Sequence, residues 1–342
     1  MPTLFIDQKR ATVEAGATVL HAARALGLRI PTLCHRDGLD PAASCMVCAV
    51  KIEGFNALQP ACATRALDGM RVESDSAEVR AARTQALELL LSDHVGDCVG
   101  PCQWACPAGL PVPALIRSIA NPDSAHIRMP DAVPCHACPA PCERACRRAR
   151  LDHAVSIRRL LCHRVPGAVP LPDKKAPRDF SVHMGGLSDE EYGRLTRGVA
   201  GEDRVEPADP AAGFSADEAD REARRCLHCD CRKADRCALR DLSREHGARP
   251  GAWRGGPRRL FEQDADHPLI LYESGKCIAC GICLKIAAAA GEPYGLTFVE
   301  RGFAVRMAPA LGKPLSEALQ TSAAACAAAC PTGALVLKAG NA

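Results

Sequence analysis

The 342-residue sequence predicts an α+β chain divided into several domains. Three observations carry that expectation. Short alternating stretches flank a helical run near the start, a mainly helical middle is broken by cysteine loops, and a cysteine triplet near the end is answered by one more cysteine far downstream. Boundaries fall where composition changes: an N-terminal unit at residues 1–76, a helical middle at 77–165, a Pro/Gly-rich connector at 166–214, a cysteine-rich segment at 215–245, and a linker with a terminal unit at 246–342.

Taken in order, TLFI and ATVE read as a short hairpin. GATVLHAARALGLRI puts Val19, Ala22, Ala23 and Leu26 at helical spacing and stops near Gly27 and Pro31. CAVKI and MRVES add strand signals, so two strands, a crossing helix and further strands make a small α+β unit. AEVRAARTQALELLLS, residues 77–92, has the pattern of an amphipathic helix. DHAVSIRRLLCH and SADEADREARRCL lack turn residues and read as helices. PGAVPLPDKKAP and VEPADPAAGF mark residues 166–215 as a connector wrapped on the surface, and HGARPGAWRGGPRR marks a second linker over 246–266.

Composition narrows the function classes. Aromatic residues make up 4% of the chain while cysteines number 21, so cohesion must come partly from cross-links or bound metal. The start, MPTLFIDQKR, carries charge at once and lacks the apolar core and cleavage site of a secretory signal, so a reducing cytoplasm is expected and disulfides are not. No stretch reaches the roughly 18 apolar residues of a membrane helix, so no membrane insertion is expected. A formal charge of +3 gives no reason to expect nucleic acid. Neither G-x-G-x-x-G nor G-x-x-x-x-G-K-[ST] occurs, so no FAD or NAD site of the chain's own is expected.

The cysteines carry the chemistry. Cys34, Cys45, Cys48 and Cys62 are separated by ten, two and thirteen intervening residues, in a unit whose strands and helix suit a β-grasp ferredoxin, where a loop of thiolates and a distant fourth close around a two-iron cluster. A four-thiolate zinc site is the alternative, but zinc prefers two close cysteine pairs. Cys277, Cys280 and Cys283 in KCIACGIC, with Cys330 in CPTGAL, have the arrangement of a ferredoxin [4Fe-4S] site. The second triplet of a two-cluster ferredoxin is missing, which leaves Cys326 as a buried thiol outside the site. Cys226, Cys229, Cys231 and Cys237 in RCLHCDCRKADRC offer four thiolates within twelve residues, for a further [4Fe-4S] cluster or for zinc.

Residues 1–75 resemble the [2Fe-2S] domain at the front of the complex I large iron-sulfur subunit and of related hydrogenase and formate dehydrogenase subunits. The departure is ASCMVC, which lacks the Gly and Arg usual around the central pair. DCVGPCQWACPAGLPVP followed by CHACPAPCERACRRARLDHAVSIRRL resembles the double-cluster domain of the glutamate synthase small subunit and its dihydropyrimidine dehydrogenase relatives, and FSADEADREARRCLHCDCRK resembles the segment after their flavin domains. Here the flavin domains between are absent. The resemblance implies two interleaved [4Fe-4S] clusters, Cys98 and Cys102 with Cys146 on one, and Cys106, Cys138 and Cys142 on the other. Each lacks a fourth ligand. His94 stands four residues before Cys98 and is the candidate for the first, against a plain helix-end histidine; Cys162, with Cys135 as rival, is the candidate for the second. Arg144, Arg147, Arg148, Arg150, Arg158 and Arg159 read either as a solvated face or as cations that offset anionic clusters.

The expected architecture is an N-terminal β-grasp [2Fe-2S] ferredoxin domain, a central double-cluster domain and a C-terminal ferredoxin-like [4Fe-4S] domain. The expected cofactors are one [2Fe-2S] and three to four [4Fe-4S] clusters. The expected role is an iron-sulfur electron-transfer subunit of a cytoplasmic oxidoreductase complex, between a flavoprotein NAD(P)H-linked subunit and a catalytic subunit of formate dehydrogenase, hydrogenase or molybdenum/tungsten type. No substrate site is expected on the chain itself. Two other classes predict different contents: a self-contained flavin and iron-sulfur oxidoreductase contains visible flavin, and a zinc-stapled scaffold contains zinc without sulfide.

Overall fold

The structure is a computed structural model that describes residues 1–121, 128–174, 187–233, 235–253, 255 and 258–338. It divides into two compact units. The first comprises Met1–His94, Asp235–Leu260 and Asp264–Val336; the second comprises Val95–Ala234, Phe261–Gln263 and Leu337–Ala342.

In the first unit, strands β1 (Thr3–Ile6), β2 (Lys9–Thr12), β3 (Ala49–Ile52), β4 (Gln59–Pro60) and β5 (Arg71–Glu73) form one sheet in the order β2-β1-β5-β3-β4. β1 and β2 make the expected hairpin, with Thr3 opposite Thr12, and β1 pairs in parallel with β5. The helix Val19–Ala25 crosses the sheet and buries Val19, Leu20, Ala22 and Ala23 against Leu4, Ile6, Val50, Ile52 and Val72. Thr18 and His21 cap its start reciprocally, and Gly27, at φ 70°, releases the chain after its last turn.

The helix expected at residues 77–92 is present with those bounds, Ala77–Ser92, started by the Ser76 hydroxyl accepting from Val79 N–H. Val79, Leu87 and Leu91 form its buried face, and Arg83 reaches the Ala49 carbonyl at 2.9 Å, which ties the helix to β3. The same unit holds the strand Ile270–Glu273, the helices Ile282–Ala289 and Ala323–Ala329, and an antiparallel hairpin that sets Phe298 opposite Met307.

The second unit is mainly helical. Along Val112–Ala120 the buried residues Val112, Leu115, Ile116 and Ile119 follow helical spacing and share a core with Leu160 and Leu161 of the helix Ile157–Arg164 and with Ala219 and Ala223 of the helix Ala216–Arg224. The stretch read as a surface connector is partly core. Gly167–Ala168 pairs in parallel with Ala132–Val133, the helix Asp189–Leu195 buries Glu191, Tyr192 and Leu195, and Phe214 joins the main core. Its polar composition misleads because the buried Glu191 is satisfied, capping its own helix at Ser188 and accepting from Phe261 N–H at 2.8 Å. Residues 175–186 of that connector, and residues 254, 256 and 257 of the second linker, lie outside the described residues. No helix among the described residues is long and apolar enough to cross a membrane.

Candidate metal centres

Cys34, Cys45, Cys48 and Cys62 come together, all buried, and Cys48 and Cys62 join the core packed under the helix Val19–Ala25. Their sulfurs are close enough that Cys34 is hydrogen-bonded to both Cys45 and Cys62, and Cys48 to Cys62. Those bonds push the Cys34 and Cys48 thiols below their ordinary range and the Cys45 and Cys62 thiols above it. Lowering of two of the four thiols eases formation of thiolate, the metal-binding form.

In the same unit, Cys277, Cys280, Cys283 and Cys330 line one cavity, walled otherwise by apolar groups such as Ile278, Phe298 and Leu335. Burial pushes the Cys280 thiol up to about 12, and it raises Cys277 and Cys283 as well. Neutral thiols gain nothing from such tight grouping, whereas a metal centre would offset the cost of ionising them. Cys326 is fully buried, does not line the cavity and lies 3.5 Å from the Cys283 carbonyl. Cys326→Ala is expected to leave iron content unchanged while costing about 1 kcal/mol of stability; colorimetric iron assay and thermal unfolding of the loaded chain check both halves. The N-terminal and C-terminal tetrads are neighbours, since the Cys34 charge acts on Cys280 and the Lys285 ammonium donates to the Asp40 carbonyl in the loop between Cys34 and Cys45.

In the second unit the grouping departs from the expected one. Cys102, Cys146, Cys226 and Cys229 line a single cavity, with Val112, Ile116 and Val155 as apolar walls. Cys226 and Cys229 thus share a cavity with two cysteines from outside the segment whose spacing grouped them with Cys231 and Cys237. The physical reason is the docking of the helix Ala216–Arg224 on Val112–Ala120, which carries Cys226, two residues past the helix end, toward Cys102. Burial pushes Cys226 and Cys229 up to about 12 and Cys102 well above its ordinary value. A side chain at position 100 would crowd this wall, because a Cβ on Gly100 would lie 3.0 Å from Pro113 Cγ and 3.4 Å from Cys102 Sγ.

Cys106, Cys135, Cys138 and Cys142 form the other group of this unit. Burial pushes Cys135 and Cys142 up to about 12, and the charges of Cys106 and Cys138 act on both. Cys162 stands beside this group: burial raises its thiol, the Arg158 guanidinium lowers it and the Cys138 charge raises it, while the Cys162 charge in turn raises Cys135. Loss of this group's iron is expected for Cys135→Ala and retention for Cys162→Ala, read by iron and sulfide content of the two purified variants.

Of the remaining expected ligands, Cys98 and Cys231 meet within the second unit, where Cys231 N–H donates to the Cys98 carbonyl at 3.3 Å. Neither lines the cavity of Cys102 and Cys146. Cys237 and His94 belong to the first unit. Burial, with Lys276 and Arg259 nearby, pushes His94 down to about 3, so it is a neutral imidazole whose Nδ1 has no hydrogen-bond partner among the described residues. A metal-sized trio, His21, His35 and Asp37, is accounted for by structure: His21 caps its helix and Asp37 pairs with Arg24 at 2.6 Å.

One backbone feature recurs at these sites and was not anticipated from sequence. Met46, Ala140, His228 and Ala279, each between two neighbouring cysteines of a group, adopt left-handed φ of 49–55° without being glycine. This turns backbone N–H groups toward sulfur, as Ala279 N to Cys277 Sγ at 3.4 Å and His228 N to Cys226 show. Such concavities of amide hydrogens favour anionic sulfur ligands, and each left-handed residue costs about 1 kcal/mol that some bound group must offset. The residues present thus fit thiolate-held iron-sulfur clusters. Among the six arginines of the middle region, Arg148 pairs with Asp152, Arg150 with Asp189 and Arg159 with Glu206; Arg147 is the one that lines a cysteine cavity alongside Arg148.

Residues 1–77 match the family model of a 2Fe-2S iron-sulfur cluster binding domain. This region is a [2Fe-2S] domain. The front of the chain is 50% identical over 98 residues to an NADH-quinone oxidoreductase component of Rhizobium meliloti (strain 1021), covering 29% of this chain and 12% of that protein. It is 47% identical over 104 residues to the HndD component of the NADP-reducing hydrogenase of Solidesulfovibrio fructosivorans, covering 29% and 18%, and 36% identical over 93 residues to the mitochondrial NADH-ubiquinone oxidoreductase 78 kDa subunit of Candida albicans, covering 27% and 13%. The chain thus spans less than a fifth of these relatives. A chain in the crystal structure of NAD+-reducing [NiFe]-hydrogenase in the H2-reduced state superposes with a TM-score of 0.55 at 20% identity, covering 99% of this chain and 88% of that one, a likeness of fold.

Proposed function

We propose that the chain is an iron-sulfur electron-transfer subunit of an NAD(P)H-linked oxidoreductase complex. In this reading Cys34, Cys45, Cys48 and Cys62 hold a [2Fe-2S] cluster. Three [4Fe-4S] clusters are held by Cys277, Cys280, Cys283 and Cys330, by Cys102, Cys146, Cys226 and Cys229, and by Cys106, Cys135, Cys138 and Cys142. His94, Cys98, Cys231 and Cys237 stay outside these sets. The last two sets keep the interleaved two-loop character of a glutamate synthase small-subunit-like domain, with the segment around Cys226 now completing one of them.

Such clusters, when bound, take up and release single electrons. The protein's part is to supply thiolates, to exclude water with walls such as Ile116, Val155, Ile278 and Leu335, and to aim amide hydrogens at sulfur. The observation that carries the reading is the adjacency of two tetrads in one unit, with Cys34 acting on Cys280. Structural metal needs no neighbour, whereas electron transfer does. The partners are a flavoprotein NAD(P)H-linked subunit and a catalytic oxidoreductase subunit, a reading supported by the names of the relatives. Electron paramagnetic resonance of the reduced chain tests it. Spin coupling between a [2Fe-2S] and a [4Fe-4S] signal is expected, and isolated, non-interacting signals would count against it.

A further inference from the structure

Asp230 stands between two cysteines, Cys229 and Cys231, and is buried. Both arms of one guanidinium grip its carboxylate: Arg117 Nη1 donates to Oδ1 at 2.7 Å and Nη2 to Oδ2 at 2.8 Å, with side-chain exposures of 18% and 9%. The pair joins two parts of the second unit. Arg117 belongs to the helix Val112–Ala120, next to Ile116, which walls the cavity of Cys102, Cys146, Cys226 and Cys229. Asp230 is close to that cavity in space as well as in sequence, because a Cβ on Gly100 would have Cys102 Sγ at 3.4 Å and Asp230 Cβ at 4.0 Å. On the other side of Asp230, Cys231 N–H donates to the Cys98 carbonyl at 3.3 Å and holds the segment there too.

We propose that Arg117 and Asp230 are positioning residues that latch the Cys226–Cys231 segment onto the helix Val112–Ala120 and, as a charge-balanced pair, set the potential of the [4Fe-4S] cluster of Cys102, Cys146, Cys226 and Cys229. The inference rests on that ligand set. The sign of each member's effect follows from charge. A buried carboxylate beside thiolate-bound iron disfavours the addition of an electron, and a guanidinium at contact cancels most of that field. Each member alone therefore acts with the opposite sign: Asp230 without Arg117 disfavours the reduced cluster, and Arg117 without Asp230 favours it. Arginine suits the task because its planar fork fixes both carboxylate oxygens at once, which holds the segment in one place as well as balancing its charge.

The test uses the loaded full-length chain with Arg117→Gln, Asp230→Asn, the two together, and Arg117→Lys, each followed by iron and sulfide assay and by redox titration of the paramagnetic signals. In Arg117→Gln one [4Fe-4S] signal is expected to need a tenfold lower oxidised-to-reduced ratio in the mediator, about 59 mV more negative for a one-electron couple. In Asp230→Asn the same signal is expected to move by a similar amount in the positive direction, and in the double variant to return close to its wild-type position. The Lys variant is expected to stay near wild type and the [2Fe-2S] signal to stay in place throughout. Unchanged potentials, or shifts of the same sign in the two single variants, overturn the proposal at full iron content. Should a single variant lose about four irons, a Lys variant that keeps them at the wild-type potential supports the proposal, and loss from both the Lys and the double variant overturns it. Wild-type chain that loses no iron on Cys102→Ser would instead sink the ligand set itself.

Discussion

Cys102→Ser, Cys226→Ser and the double variant are expected to lose the same amount, about four irons and four sulfides per chain, and no more. Cys102 follows the helix Ala77–Ser92 closely in sequence, and Cys226 stands beyond the whole connector, yet both line one cavity with Cys146 and Cys229. If both ligate one cluster, removing the second ligand removes nothing further, so the two losses are fully non-additive. If Cys226 instead served a cluster with Cys231 and Cys237, the double variant would lose about eight irons. Iron and sulfide content of the three variants, measured beside wild type, separates the outcomes. The [2Fe-2S] signal is an internal control, since Cys34, Cys45, Cys48 and Cys62 belong to the other unit.

The second large effect is on folding. Arg225, one residue before Cys226, is almost fully buried and donates to Glu222 Oε1 at 2.9 Å, to Asp152 Oδ1 at 2.9 Å and to the His153 carbonyl at 2.8 Å. Glu222 also accepts from Ser156 N–H at 2.7 Å and Val205 N–H at 2.9 Å, so one carboxylate ties down two loops. Asp152 receives Arg148 as well, whose bond holds its carboxyl below the usual carboxylate range. Removing one member of such a network strands buried charge. Arg225→Met is expected to destabilise the second unit by about 3–5 kcal/mol, far beyond the about 1 kcal/mol of a typical surface ion pair. Denaturant titration followed by loss of the cluster absorbance checks it. An exposed pair such as Arg224–Asp220, altered by Arg224→Met, gives the small reference effect.

What the sequence made legible was local. The hairpin, the crossing helix and the helix Ala77–Ser92 rest on period and on caps at Thr18 and Ser76, signals confined to a few residues. The C-x-x-C-x-x-C triplet with its distant Cys330 likewise has a spacing that restricts where its ligands lie. The grouping of the middle cysteines was not legible, because C-x-x-C-x-C fixes no tertiary partner. What decides it is the docking of Ala219 and Ala223 on the helix Val112–Ala120, a contact across a connector whose polar composition hides its buried residues. The choice between Cys135 and Cys162 is likewise not encoded by spacing, since both thiols respond to Cys138 and the Cys162 charge acts on Cys135. The left-handed residues Met46, Ala140, His228 and Ala279 escaped notice because the usual signal for that conformation is glycine.

The central claim is that these cysteine groups hold redox-active clusters. Iron, acid-labile sulfide and zinc measured together on anaerobically purified, fully loaded chain test it most directly. At least about 14 irons with matching sulfide and negligible zinc per chain are expected, divided between one [2Fe-2S] and several [4Fe-4S] signals. About two irons per chain, or zinc without sulfide, would contradict it.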